Sequence, residues 1–424
     1  MQIMDSVEQI SPQEWMVEPS AIKIMEVLQS GEVEQKLALF VGGCVRNSLA
    51  KKPVNDVDIA TLHKPDEVLR LLKQASLKVF SPGIEHGTVS AVIGNRSYEI
   101  TSLRVDLETD GRRARVSYTK DWIEDAKRRD FTINAIFADV SGAIYDPVGG
   151  LNDLRDGKVR FIGKAQRRIE EDVLRLLRFF RFHSEFSSLP PDREALEACR
   201  QMAGSLSHLS AERVRDELLK LFVTDNAAQA MLLMFNNGIL NKIFPEATAI
   251  KRLFSMINVE KIANEYDPLR RLASCIVTDE LGARAIGERL RLSNSDKLRL
   301  SKFFSQKSKL NIYSSKEKVL EALYRSGKSL CKDVVLLEWA QDSYRFPDQE
   351  SEVQGQWEQL YNLVDSWERP TLPVTGSDCM ALGIPEGPFL GNVLNQLESW
   401  WVSRGFNDDR EACLKKLNDL IKTQ

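Results

Sequence analysis

The chain has 424 residues, 43% of them hydrophobic, enough for two to four packed units. Its formal net charge of −3 leaves a nucleic-acid partner open, because the distribution of charge rather than its sum decides that. No apolar run reaches about 18 residues, and the start, MQIMDSVEQISPQEW, lacks a basic n-region and a long apolar h-region, which argues against a spanning helix and a secretory signal and predicts a cytoplasmic protein.

The first predicted strand is Leu37–Val41, followed at once by Gly42-Gly43, where bare backbone lets a phosphate approach closely. The next, Val54–Ala60, carries Asp56 and Asp58. Residues two apart in a strand share a face, so both carboxylates can hold one or two cations at a single point, with Val57 and Ile59 buried behind them. Alone, a Gly-Gly pair is usually a turn and Asp-x-Asp often a solvated edge; joined in one strand-turn-helix-strand unit they suggest metal-assisted nucleotidyl transfer. Lys64–Gln74 reads as a helix, Thr88–Ile93 and Ser97–Leu103 as strands. Residues 106–117 read as a polar surface loop with an Asp110-Gly111 turn, and Ile133–Val140 as a further strand.

Near residue 160 the pattern changes to long amphipathic stretches, interrupted by SSLPPD, by Asn236-Asn237-Gly238 and by Pro370–Gly376. An α+β head with an all-helical remainder follows. Between Arg155 and Arg181 the cations Arg155, Lys158, Arg160, Lys164, Arg167, Arg168, Arg175, Arg178 and Arg181 outnumber the acids Asp156, Glu170, Glu171 and Asp172. Such a run is often only a solvated helix face. Read as one helix, Glu171–Arg181 places Val173, Leu176, Leu177 and Phe180 on an apolar stripe, with Glu171, Arg175 and Arg178 opposite and Asp172 and Arg181 at its edges. The six cysteines show no CxxC and no Cys/His ligand spacing, and read as reduced thiols. In the C-terminal GIPEGPFLG, Pro388 is placed to open a terminal helix.

GGCVRN, DVD, RRDFTINAIF, DPVGGLNDL and EDVLRLLRFFR occur in this order and together resemble the successive motifs of the class II tRNA nucleotidyltransferases, the CCA-adding enzymes and bacterial poly(A) polymerases of the polymerase-β-like superfamily. The resemblance implies a nucleotidyltransferase head with a small mixed sheet at 1–161, a helical neck at 162–245 with the base-reading helix, a body at 246–368 and a tRNA-binding tail at 369–424. It implies template-independent addition of the 3′-CCA end of tRNA from CTP and ATP with Mg²⁺, and the tRNA acceptor arm as partner. Asp56 and Asp58 would be the catalytic metal ligands, with Glu99 as a third carboxylate. Gly43, Arg46 and Arg129 would contact the triphosphate and sugar, with Asp130 holding Arg128 and Arg129. Asp172 and Arg175 would read the base, with Arg178 and Arg181 completing the nucleotide-binding set.

The family usually has an acid after the first of these arginines, and here Asn47 could instead cap the helix. The loop at 106–117 resembles the segment that switches one pocket from C to A addition. Two other functions stay open at this point, an A-only or poly(A)-adding enzyme of the same family and a non-catalytic RNA-binding relic, as does the oligomeric state.

Overall fold

Ala38 and Phe40 point to one side of their strand and Leu39 and Val41 to the other, and all four are buried. A strand covered on both faces belongs inside a sheet with helices on either side. In the computed structural model, which describes residues 4–30, 36–83, 87–94, 96–110, 113–305 and 310–422, the chain forms two compact units, Met1–Phe244 and Pro245–Gln424.

The strands of the first unit are β1 (Glu8–Gln9), β2 (Ala38–Val41), β3 (Val57–Thr61), β4 (Lys78–Gly83), β5 (Thr88–Ile93), β6 (Arg96–Ser102), β7 (Arg104–Asp110), β8 (Arg113–Tyr118), β9 (Phe137–Ala138) and β10 (Ala143–Tyr145). Its helices are α1 (Glu14–Val17), α2 (Pro19–Gln29), α3 (Gly43–Leu49), α4 (Pro65–Gln74), α5 (Trp122–Arg128), α6 (Gly150–Arg155), α7 (Ala165–Glu171), α8 (Leu174–Phe186), α9 (Arg193–Met202), α10 (Ala211–Phe222), α11 (Ala227–Asn236) and α12 (Leu240–Ile243). Eight strands form one mixed sheet in the order β1-β10-β9-β2-β3-β6-β5-β4. β3 runs parallel to β6, and the remaining pairs are antiparallel.

One face of the sheet buries Phe40, Val57, Ile59, Tyr98 and Ile100 with Ile24, Leu28, Val68 and Leu72 of α2 and α4. The other buries Leu39, Val41 and Ala60 with Trp122 and Ala126 of α5. Alternation therefore sends Asp58, two residues before Ala60, to the α5 side.

Three expectations change. The strand expected at Val54–Ala60 begins only at Val57, so exposed Asp56 precedes it and only Asp58 lies on β3. Of Ile133–Val140 only Phe137–Ala138 pairs as a strand, because Thr132–Asn134 is a 3₁₀ turn. The Asp130 carboxylate causes this, accepting from the Phe131 N–H at 2.8 Å and from the Asn134 amide at 2.9 Å. Such a side-chain acceptor competes with the ladder for local donors. The segment 106–117 is not a loop but the larger part of the two-stranded ribbon β7–β8, separate from the main sheet, in which Asp110 is opposite Arg113. The expected Asp110-Gly111 turn falls at 111–112, outside the described residues.

DPVGGLNDL is a brace for this turn. Asp146 accepts from the N–H groups of Gly150 and Leu151 at the start of α6, at 2.8 and 2.9 Å. Asp153 accepts from the Thr132 hydroxyl at 2.7 Å. Gly150 lies so close to the Thr132 carbonyl that a Cβ would overlap it.

The second unit is helical throughout its described elements: α13 (Arg252–Ala263), α14 (Pro268–Ser274), α15 (Glu280–Arg289), α16 (Asn294–Phe303), α17 (Lys316–Ser326), α18 (Lys328–Arg345), α19 (Glu350–Ser366), α20 (Gly376–Ala381), α21 (Pro388–Ser403) and α22 (Arg410–Lys422). Its first part centres on buried Arg270 and Arg271, which donate to Glu260, and Arg270 also donates to Asp333 at 2.9 Å. Its last part buries Cys379, Val393, Leu397, Trp401 and Leu417, with Pro388 opening α21. All six cysteines are buried free thiols. Among the described residues no helix is long and apolar enough to cross a membrane.

Gly150→Ala should lower the unfolding free energy by about 1–3 kcal/mol through overpacking against the Thr132 backbone, read as a drop in urea midpoint at unchanged m-value.

Candidate active site

The turn after β2 sets the floor of the site. Gly42 has φ 72°, which L side chains rarely adopt, and caps α3. A Cβ there would sit 3.8 Å from Nη1 of Arg129 and 4.0 Å from Oδ2 of Asp58, so glycine keeps the cradle between them open. Around it lies a cavity of about 420 Å³ lined by Gly42, Gly43, Arg46, Asp58, Arg128, Arg129, Asp130, Asn134, Asp172, Leu174, Arg175 and Arg178. Seven of the nine site residues inferred from sequence thus meet at one place. Asp56, exposed just before β3, and Arg181 are not part of the lining.

The arginines of this wall are held by buried carboxylates. Buried Asp125 accepts from Nε of Arg128 at 2.7 Å and from Nη2 of Arg129 at 2.9 Å. It therefore replaces Asp130 as the group that holds the Arg128-Arg129 pair; spacings of three and four on α5 put all three side chains on one face. Asp130 reaches Arg178 instead, accepting from its Nε at 2.7 Å. Burial opposes ionisation of Asp130, but the Arg178 charge and the hydrogen bonds from Asn134, Arg178 and the Phe131 N–H outweigh it and hold its pKa at about 2. Arg181 lies behind Arg178 and donates to buried Glu217 of α10 at 2.6 Å.

Arg46 has a different environment. It is 7% exposed, and its guanidinium donates to two neutral amides, the Oδ1 of Asn134 and the Oδ1 of Asn47, the latter at 2.7 Å from Nη2. Asn47 does not cap its helix; its own amide donates to the Pro53 carbonyl at 3.0 Å. Burial above all pushes the Arg46 pKa down to about 10.

Glu171–Arg181 is not one helix. α7 ends at Glu171, Asp172 is extended (φ −153°, ψ 107°) and α8 begins at Leu174. The Asp172 carboxylate interrupts it by accepting from the Leu174 N–H at 3.1 Å. Both its oxygens also accept from Nη2 of Arg213 on α10, at 2.8 and 2.9 Å. Arg175 donates to Glu171 at 2.7 Å and to the Arg128 carbonyl at 3.2 Å. Leu176, Leu177 and Phe180 are buried as expected, but so are Phe179 and Phe182, which makes α8 a core helix and not a two-sided surface one. Four positioning groups escaped the sequence reading: Asp125, Asn134, Arg213 and Glu217.

Asp58 of β3 and exposed Glu99 of β6 contrast with the arginine wall. Burial first, and then the charge of Glu99, raise the Asp58 pKa to about 6 despite Arg129. Glu99 is opposite Asp58 in the parallel β3–β6 pair. Among the described residues no group of three carboxylates, imidazoles or thiols forms a complete metal cage. A pair of hard oxygen donors that leaves coordination positions to water and substrate suits a divalent cation such as Mg²⁺, so the donor set fits.

The fold and cavity define a nucleotidyltransferase head: residues 38–160 match the family "Poly A polymerase head domain", and residues 189–251 match "Probable RNA and SrmB- binding site of polymerase A". The chain is similar to CCA tRNA nucleotidyltransferase 1, mitochondrial, of Danio rerio, at 31% identity over 94% of this chain and 90% of that one. It is similar to the CCA-adding enzyme of Levilactobacillus brevis at 30% identity over 93% and 96%. The Bacillus stearothermophilus CCA-adding enzyme, solved in complex with CTP, has a TM-score of 0.70 at 26% identity, covering 96% of this chain and 99% of that one. The chain belongs to the family of CCA-adding tRNA nucleotidyltransferases.

Because the folded pKa of Asp58 lies above that of an unfolded aspartate, the native state binds the extra proton between about pH 4 and 6, and stability contributed by that proton is lost as pH rises through 6. Asp58→Asn should therefore raise the thermal midpoint of the metal-free protein at pH 7.5, with a gain that shrinks as pH is lowered toward 4.

Proposed function

We infer that this chain builds or repairs the 3′-CCA end of tRNA, transferring CMP and AMP from CTP and ATP to the RNA 3′-hydroxyl with release of pyrophosphate. The observation that carries the reading is one cavity with a carboxylate of β3 at one side and the arginine wall at the other, in a chain of this family. Asp56 and Asp58 hold Mg²⁺, with Glu99 beside them; when bound, the metal supplies charge neutralisation at the α-phosphate and a more acidic 3′-hydroxyl.

The chain's own groups do the rest. The Gly43 N–H and Arg46 bind the triphosphate, and Arg129, fixed by Asp125, orients sugar or phosphate. Asp172 accepts from the exocyclic amine of cytosine or adenine while Arg175 donates to the adjacent ring nitrogen. Arg178 and Arg181 set that pair from behind. Uracil and guanine present the reverse pattern and leave like groups unpaired, at about 1–3 kcal/mol each. The ribbon β7–β8 serves the change from C to A. Residues 1–161 act as the head, 162–245 as the neck, 246–368 as the body and 369–424 as the tail that engages the acceptor arm. The six reduced thiols suit a cytoplasmic setting.

Transcripts ending at the discriminator base, after the first C and after the second, each incubated with one labelled NTP, should take up C, C and A respectively and exclude U and G. A protein that extends only the third transcript would be an A-adding enzyme. Asp56→Ala should lower incorporation by about three orders of magnitude or more while tRNA affinity holds.

Arg213→Gln removes the group that fixes Asp172. It should relax the choice among bases, seen as misincorporated U or G on the same transcripts, with less effect on metal dependence.

A further inference from the structure

Phe182 and Phe186 are one turn apart on α8, and neither lines the cavity. The Arg46 guanidinium carbon stands 4.9 Å from the centroid of Phe182 and 4.5 Å from that of Phe186. Phe182 also receives Arg178 at 5.0 Å and Arg181 at 4.1 Å, so three guanidinium groups surround one ring that is 2% exposed. Arg178 and Arg181 have carboxylates to neutralise them, Asp130 and Glu217. Arg46 makes no ion pair of its own among the described residues; its partners are two amide oxygens and the two rings. Ring faces attract a desolvated cation without neutralising it. A carboxylate in their place would compete with the substrate's phosphate for the same donors.

We propose that Phe182 and Phe186 are positioning residues of the nucleotide site: an aromatic platform that presents Arg46 to the triphosphate with no carboxylate at ion-pair distance among the described residues, and that through Phe182 links Arg46 to Arg178. The inference rests on the reading of Arg46 as a triphosphate ligand. The platform makes the arginine a stronger anion receptor than an ion-paired one, because Glu185 and Asp130 act on it only from beyond ion-pair distance and an incoming phosphate can reach its donors directly. It also ties the phosphate end of the cavity to the helix that carries Arg175, so that α8 must be seated before Arg46 is aimed.

Because Phe182 also packs against Phe131 at 5.3 Å, truncating it would disturb the core. Shape is preserved by replacing Phe182 in the full chain with a series of increasingly fluorinated phenylalanines, which drain the ring quadrupole at nearly constant volume. KM for CTP and for ATP should rise stepwise along the series, reaching about tenfold, while kcat, tRNA affinity and the thermal midpoint change little. At half-buried Phe186, Phe186→Leu should raise KM similarly and Phe186→Tyr should restore it. A flat series at Phe182, together with a Phe186→Leu enzyme of ordinary KM, overturns the platform. Arg46→Ala separates the two levels: if it raises KM while the series stays flat, only the platform fails, and if it too leaves KM unchanged, the assignment of Arg46 to the triphosphate fails with it.

Discussion

Guanidinium groups gathered on one wall of a single cavity repel one another and lose hydration, and an unpaired charge of that kind is strongly destabilising. Buried carboxylates beneath the wall make the arrangement possible. Asp125 holds Arg128 and Arg129, Asp130 holds Arg178, and Glu217 holds Arg181. Taking one partner from such a pair costs about 3–5 kcal/mol, so these acids are constraints on the fold as much as on the site. Two of them also fix how elements lie against each other: Asp130, just after α5, engages Arg178 of α8, and Glu217 of α10 engages Arg181 of α8, only in that packing.

The opposite side of the cavity follows the opposite rule. Asp58 and Glu99, opposite one another on parallel strands, have no cation at ion-pair distance among the described residues, and burial first, then the Glu99 charge, push the Asp58 carboxyl up despite Arg129. Saturated positive charge faces unsaturated negative charge across a space of about 420 Å³. On the proposed reading, a nucleoside triphosphate with a divalent cation would complete both sides at once, its phosphates meeting Arg46 and its neighbours and the cation meeting the carboxylates.

What could be read in the sequence was local. Period-two alternation places Asp58 on one face and Val57 and Ile59 on the other without reference to any other segment, and both hydrophobic positions are buried; Asp56, expected on the face of Asp58, precedes the strand and is exposed. Glycine at positions 42 and 43 announces close approach for the same reason. Asp125 was within reach of the same logic, since it is three and four residues from the arginines it holds, but Asp130 is adjacent to them in sequence and drew the assignment. The helix break at Asp172 was concealed by an apolar spacing that continues through it. Arg213 and Glu217 belong to a helix some forty residues away from their partners, and only tertiary packing brings them there. The ribbon β7–β8 was legible in principle, as VDLETD and RARVSY alternate; its many charges suggested a loop.

The interruption at Asp172 has a consequence for how such an enzyme can change. The carboxylate and guanidinium proposed to recognise the base do not share a continuous helix; their spacing is set at a junction and held by Arg213, Glu171 and a carbonyl of the preceding segment. Asp58, by contrast, is built into β3 in the middle of a sheet. Substitutions on α10 can therefore reset the geometry of the proposed recognition without moving the strand that carries the proposed metal ligand Asp58. Substrate preference and catalytic competence become separable traits, so that one can drift under selection while the other is retained.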